Sequence, residues 1–105
     1  MDGLPQEITA CHDHNGNVPF EDWLDALSPK TQAVVMNRID RVERGLFGDV
    51  KPVGEGVSEL RIDFGPGYRV YFGQIGNQVH LISGGSKPTQ DSDIAAANKF
   101  WNSHD

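Results

Sequence analysis

Three things are scarce in this chain. It has a single cysteine, Cys11, so no intrachain disulfide can form and a reducing compartment is expected. No apolar run approaches the ~18 residues a membrane helix needs, and nothing at the amino terminus reads as a secretory leader. A cytoplasmic location without a membrane partner is therefore expected. Basic residues are also few: nine Lys and Arg stand against fifteen Asp and Glu, a formal net charge of −6, which argues against general affinity for nucleic acid.

The basic deficit is uneven. Residues 1–29 hold six acids and no Lys or Arg, and residues 91–105 hold three acids and one lysine. The segment 30–90 carries eight bases against six acids, so a local positive site fits within an acidic chain whose ends keep it soluble. With 105 residues, 37% apolar, the sequence is long enough for one modest core and reads as a single domain over 1–105.

The elements read in order. Glu7 to His12 alternates weakly and suggests an edge strand. Asp13 to Asn17 is a turn cluster; His12 and His14 flank Asp13, but no third ligand is implied, so a turn is the reading and no metal or cofactor is expected. Pro19 opens a short helix whose Phe20, Trp23, Leu24 and Leu27 form one apolar stripe, suited to the core or to a partner surface. Ser28 and Pro29 start a second helix, with Val35, Ile39, Val42 and Leu46 inward and Gly45 at its end. Leu46 to Gly56 reads as loop. Strands follow at Val57–Phe64, Tyr68–Phe72 and Gln78–Ser83, then a glycine-rich exit, Gly84 to Pro88, which lacks the spacing of a nucleotide-binding loop. Thr89 caps a last helix with Ile94, Ala97 and Trp101 on its apolar side. The fold expected is α+β, order β-α-α-β-β-β-α, with the helical hairpin and the C-terminal helix packed on one face of a small antiparallel sheet.

If Gly65, Pro66 and Gly67 form a three-residue loop, Phe64 lies opposite Tyr68, Asp63 opposite Arg69, and Arg61 opposite Tyr71. Arg61, Arg69 and Tyr71 then share the sheet face opposite Leu60, Ile62, Val70 and Phe72, and His80 and Ile82 join the arginine face. In this register Asp63 can form ordinary cross-strand ion pairs with the two arginines.

The run from Gly48 to Phe72 (GDVKPVGEGVSELRIDFGPGYRVYF), the segment Leu81 to Asp91, the Asp93 to Ala97 stretch and Pro-Phe-Glu-Asp-Trp-Leu at Pro19 resemble the RelE/ParE superfamily. Within it the resemblance is to the phage-derived, HigB-like addiction module killer branch, and it covers roughly Asn15 to Trp101. The resemblance implies the RelE-like fold and the toxin of a type II toxin–antitoxin pair, neutralised by a cognate antitoxin, often a helix-turn-helix DNA-binding protein. RelE- and HigB-like members cleave mRNA on the ribosome without a metal; ParE-like members poison DNA gyrase, so the fold leaves the activity open.

Metal-free RNA cleavage requires a base for the 2′-hydroxyl, cations for the phosphorane and an acid for the leaving oxygen. Arg61 and Arg69 match the family's Glu-Leu-Arg and Tyr-Arg-Val positions, and a planar guanidinium donates to two phosphate oxygens. Lys51 and Lys87 match loop lysines on either side of the sheet, suited to holding RNA or moving a proton. Tyr71 and His80 are candidates for stacking a base or for proton transfer, against a bland reading in which Tyr71 shields the sheet and His80 is a solvated strand residue. The expected catalytic set is thus Arg61, Arg69, Lys87 and Tyr71, with Lys51 and His80 binding RNA. Ser86 stands where many relatives carry an acid and Pro88 where a small polar residue is usual. His104 is the tail's one counterpart to the carboxy-terminal tyrosine or histidine of several mRNA-cleaving relatives. A ribosome-dependent mRNA interferase, a gyrase inhibitor and an inactive homologue that only binds an antitoxin-type repressor are the three readings.

Overall fold

A computed structural model describes residues 3–103; His104 lies outside them. The elements are β1 (Glu7–Ala10), α1 (Pro19–Asp25), α2 (Pro29–Glu43), β2 (Val50–Pro52), β3 (Val57–Ile62), β4 (Tyr68–Ile75), β5 (Gln78–Ser86) and α3 (Gln90–Asn102), the last preceded by one 3-10 turn at Lys87–Thr89. The α+β class and the order of helices and strands agree with the sequence reading. The addition is β2, three residues of the stretch read as loop, which pair antiparallel with Ser58–Leu60.

The sheet runs β1-β5-β4-β3-β2. Its pairs are antiparallel except for β1, which lies parallel to β5, with Glu7 beside Gln78 and Ala10 beside Leu81. Ser28 caps α2 by accepting from the Thr31 amide at 3.3 Å, and Gly45, at φ 85°, turns the chain out of it. Phe20, Val35, Ile39 and Val42 from the two helices bury against Leu60, Ile62, Val70, Phe72, Val79 and Leu81, and Trp23, Leu24 and Leu27 pack on the same cluster. The α1 stripe therefore belongs to the core.

α3 does not join that layer. Ile94, Ala97, Phe100 and Trp101 pack with Val57, Tyr71 and Ile82 on the opposite face. The single-face arrangement expected for all three helices is corrected to helices on both faces. The physical reason is that the second face has apolar side chains of its own to cover, and the apolar side of α3 needs a partner. Close approach is possible because β4 and β5 are bare where α3 lies. A Cβ on Gly73 would fall 2.3 Å from the Trp101 ring and one on Gly85 2.0 Å from the Asp93 carboxylate. Gly84 serves the other layer in the same way, under the indole of Trp23. The glycine run is therefore the end of a strand and not a loop. Thr89 also departs from its expected role: its hydroxyl donates to Asp93 Oδ2 at 2.5 Å and makes no capping bond to the backbone.

Candidate functional site

The β3–β4 connection spans 63–67, longer than the three-residue loop expected, so the register moves by two. Ile62 lies opposite Tyr68, Arg61 opposite Arg69, and Glu59 opposite Tyr71. A shift of two keeps every side chain on its face. Arg61, Arg69 and Tyr71 do share one, but Asp63 is not their partner. Across four strands Lys51, Glu59, Tyr71 and Ser83 form one row, and Arg61, Arg69 and Gly85 form the next.

Two arginines directly opposite each other repel unless an acid intervenes. Glu59 is that acid. It is fully buried, with Oε1 3.0 Å from Arg61 Nε and Oε2 3.9 Å from Arg69 Nε. The first residue of α3 completes its coordination, since Gln90 Nε2 donates to Glu59 Oε2 at 2.8 Å. The hydrogen bond that Arg61 donates to Glu59 raises the Arg61 pKa above its ordinary value, against desolvation and with the help of the Glu59 charge. Arg61 is 36% exposed and Arg69 12%, so both remain within reach of a bound anion.

Arg69 Nη1 also donates to the Gly67 carbonyl at 2.7 Å, and the Lys87 amide donates to the same oxygen at 3.0 Å. A Cβ on Gly67 (φ 82°) would lie 2.8 Å from Arg69 Nη1 and 3.9 Å from Lys87 Cβ. The turn thus brings Lys87 beside Arg69, while Lys51, exposed on β2, stands next to Glu59 in the ladder. Arg61, Arg69, Lys51 and Lys87 are gathered at one end of the α3-side face.

Tyr71 stands opposite Glu59 in these rows but is covered, and His80 lies apart from them. Tyr71 is fully buried, and its hydroxyl has no hydrogen bond of standard geometry among the described residues. Burial, followed by the carboxylates of Glu59 and Asp93, pushes its pKa well up, against the pull of Arg69. His80 pairs with Gly73, two residues along β4 from Tyr71 and away from Arg69, and its ring centroid is 5.7 Å from that of Trp101. In the turn, Asp13 Oδ1 accepts from the amides of Asn15 and Asn17, both at 2.9 Å, which uses that carboxylate locally.

Two residues of the cluster were not singled out from sequence. Glu59 has a signal: an acid two positions before an arginine in an alternating strand shares its face. Gln90 has none, because nothing local connects it to a carboxylate thirty-one residues earlier.

Beside Arg61 a cleft of about 420 Å³ opens between α2 and the end of β3, and Arg38, Arg41 and Arg61 line it. A second hollow of about 570 Å³ lies between the His12–His14 turn and the last turns of α3. No group of three or more His, Cys, Asp or Glu among the described residues could hold a metal ion, and no helix among them is long and apolar enough to cross a membrane.

A two-faced α+β domain presenting clustered cations from β2, β3, β4 and the start of α3 is the class these features define. Residues 22–101 match the family described as Phage derived protein Gp49-like (DUF891), and the chain belongs to that family. It is also similar to an uncharacterized protein of Haemophilus influenzae strain Rd, 49% identical over 80 residues that cover 74% of this chain and 81% of the relative. The family match over residues 22–101 includes every residue of the Glu59 cluster.

Proposed function

We propose that this Gp49-like chain is the toxin of a type II toxin–antitoxin pair of the RelE/ParE, HigB-like kind. In this reading it is a metal-independent, ribosome-dependent mRNA interferase, held inactive by a cognate, helix-turn-helix antitoxin. One observation carries it: Arg61 and Arg69 stand directly opposite each other, held by one buried carboxylate. Glu59 occupies Arg61 Nε and leaves the two terminal nitrogens without a hydrogen bond among the described residues. These suit the non-bridging oxygens of a phosphate, and the charge is in place before the phosphorane forms.

In this mechanism Arg61 and Arg69 stabilise the phosphorane. Lys87, next to Arg69, moves the proton, and Lys51 holds the RNA backbone. Tyr71, beneath α3, acts through Glu59 and the packing of the strand, while His80 supports Trp101. Losing either arginine removes a preorganised donor, worth on the order of 100- to 1,000-fold in rate. The test is induction of the chain alone in bacterial cells with mapping of mRNA 5′ ends. New cleavage sites at fixed codon positions are expected, and they should vanish with Arg61→Ala plus Arg69→Ala. Growth arrest that survives both substitutions would refute the assignment.

The burial of Tyr71 favours a second reading, the gyrase inhibitor, because it leaves fewer side chains able to transfer protons. That reading predicts DNA-damage signalling with intact transcripts.

A further inference from the structure

We infer that the cleft between α2 and the end of β3 is a second oxyanion site, which takes a phosphate of the RNA strand neighbouring the one held by Arg61 and Arg69. The inference rests on the nuclease reading above and adds the path of the strand.

Arg38 forms part of the α2 wall of the cleft. Its Nε donates to the Arg61 carbonyl at 3.3 Å, and its Nη2 donates to the Phe47 carbonyl and, at 3.5 Å, to that of Asp49. The remaining nitrogen, Nη1, is buried without a hydrogen bond among the described residues. A guanidinium anchored on three of its donors has its last pair of N–H groups fixed in direction, and a buried donor of that kind calls for an acceptor. Neither Arg38 nor Arg41 takes part in an ion pair among the described residues, where both salt bridges belong to Glu59. Burial, and then the charge of Arg41, push the Arg38 pKa down, and the charge of Asp49 offsets this only in part. Asp49 and Asp63 also line the cleft but form no ion pair with either arginine.

Two features make the cleft a continuation of the first site. Arg61 adjoins both, since its guanidinium is bound to Glu59 while the residue lines the cleft, where its backbone carbonyl accepts from Arg38 Nε. Gly48, at φ 65°, forms the wall over Arg38, where a Cβ would fall 2.9 Å from Nη2 and 3.5 Å from Nη1. With no side chain at Gly48, only backbone lies against the guanidinium on this side. A polymer with one charge per nucleotide matches successive cationic positions better than an isolated carboxylate does.

The test has two arms. In the first, inorganic phosphate is titrated into the isotope-labelled chain and the arginine side-chain N–H resonances are followed. Arg38 and Arg41 should shift, and should still do so in Arg69→Ala. Unmoved resonances would overturn the site. In the second arm, binding of an uncleavable 2′-O-methyl oligoribonucleotide is compared for the unaltered chain, Arg41→Ala and Arg41→Lys. One lost phosphate contact on a single strand lowers the log–log salt slope by about 0.7, so the defect of Arg41→Ala should shrink about 2.6-fold between 50 and 200 mM salt, and Arg41→Lys should restore most of the slope. Phosphate shifts with an unchanged RNA slope would overturn the RNA assignment and point to an antitoxin carboxylate as the occupant. Phosphate shifts in a chain that neither binds nor cleaves RNA would mean that the nuclease reading has failed, and the strand path with it, while the oxyanion site stands.

Discussion

Replacing Glu59 with alanine should unfold this protein more readily than any single change to the arginines it holds. Glu59 is fully buried and meets Arg61 Nε at 3.0 Å, Gln90 Nε2 at 2.8 Å and, more loosely, Arg69 Nε at 3.9 Å. Without it, Arg69, only 12% exposed, faces Arg61 across the ladder with no neutralising charge. Removing one partner of a buried ion pair costs about 3–5 kcal/mol. The lower end applies here because Arg61 is partly in water and the Arg69 contact is long, so about 3 kcal/mol is expected. That is a large share of the ~5–15 kcal/mol available to a small domain, and it should lower Tm by roughly 12–20 °C. Glu59→Gln retains the shape and one acceptor oxygen, enough for Arg61 Nε, while its NH2 faces Gln90, whose amide must flip to accept from it, so the loss should be about half as large. Urea denaturation followed by circular dichroism measures both, and a double-mutant cycle with Arg69→Ala should show coupling of about 1 kcal/mol or more. Glu59→Ala within ~1 kcal/mol of the unaltered chain, or strict additivity with Arg69→Ala, would refute the view that this carboxylate holds the cluster together.

Other expectations are independent of that one. Burial raises the Tyr71 pKa, so its neutral form contributes stability that is complete below the unfolded tyrosine's value near 10 and is lost as pH climbs from there toward the higher folded value; alkaline melts should show this loss, and Tyr71→Phe should abolish its share. Gly84→Ala places a Cβ 2.2 Å from the Trp23 ring and should cost ~1–3 kcal/mol with a change in tryptophan emission, whereas Gly16→Ala meets no atom within 4 Å and should show only the modest cost of its positive φ. Burial raises the Cys11 thiol pKa, so it should resist a disulfide-exchange reagent in the native state and react promptly in denaturant.

The faces of the sheet were legible in the sequence because period-two alternation survives an even shift of register. The partners were not. Reading Gly65-Pro66-Gly67 as the whole loop paired Arg69 with Asp63, whereas the connection takes up Asp63 and Phe64 as well and brings Arg61 opposite Arg69. The side taken by α3 was hidden for a different reason. Its stripe states that a face must be buried but not which sheet face receives it, and the deciding feature is the missing side chain at Gly73 and Gly85. Arg61 and Arg69 share a face by alternation, Lys51 and Lys87 join them by the resemblance, and the ladder and the Gly67 turn give that grouping its geometry. Gln90 reaches Glu59 only through the packing of α3, which no local pattern encodes.

The parallel pairing of β1 with β5 sets the order in which this fold can be completed. β1 has one neighbour in the sheet, and that neighbour is the last strand of the chain, so Glu7 waits for Gln78 and Ala10 for Leu81. The helical hairpin forms from local contacts and the β3–β4 hairpin closes over a short turn, but the first strand stays unpaired until β5 has been made. A ribosome-bound chain lacking β5 therefore has β1 without a strand partner, tied to the fold through the Gln6 amide on the Glu43 carbonyl, and Trp23 without the strand that lies beneath it.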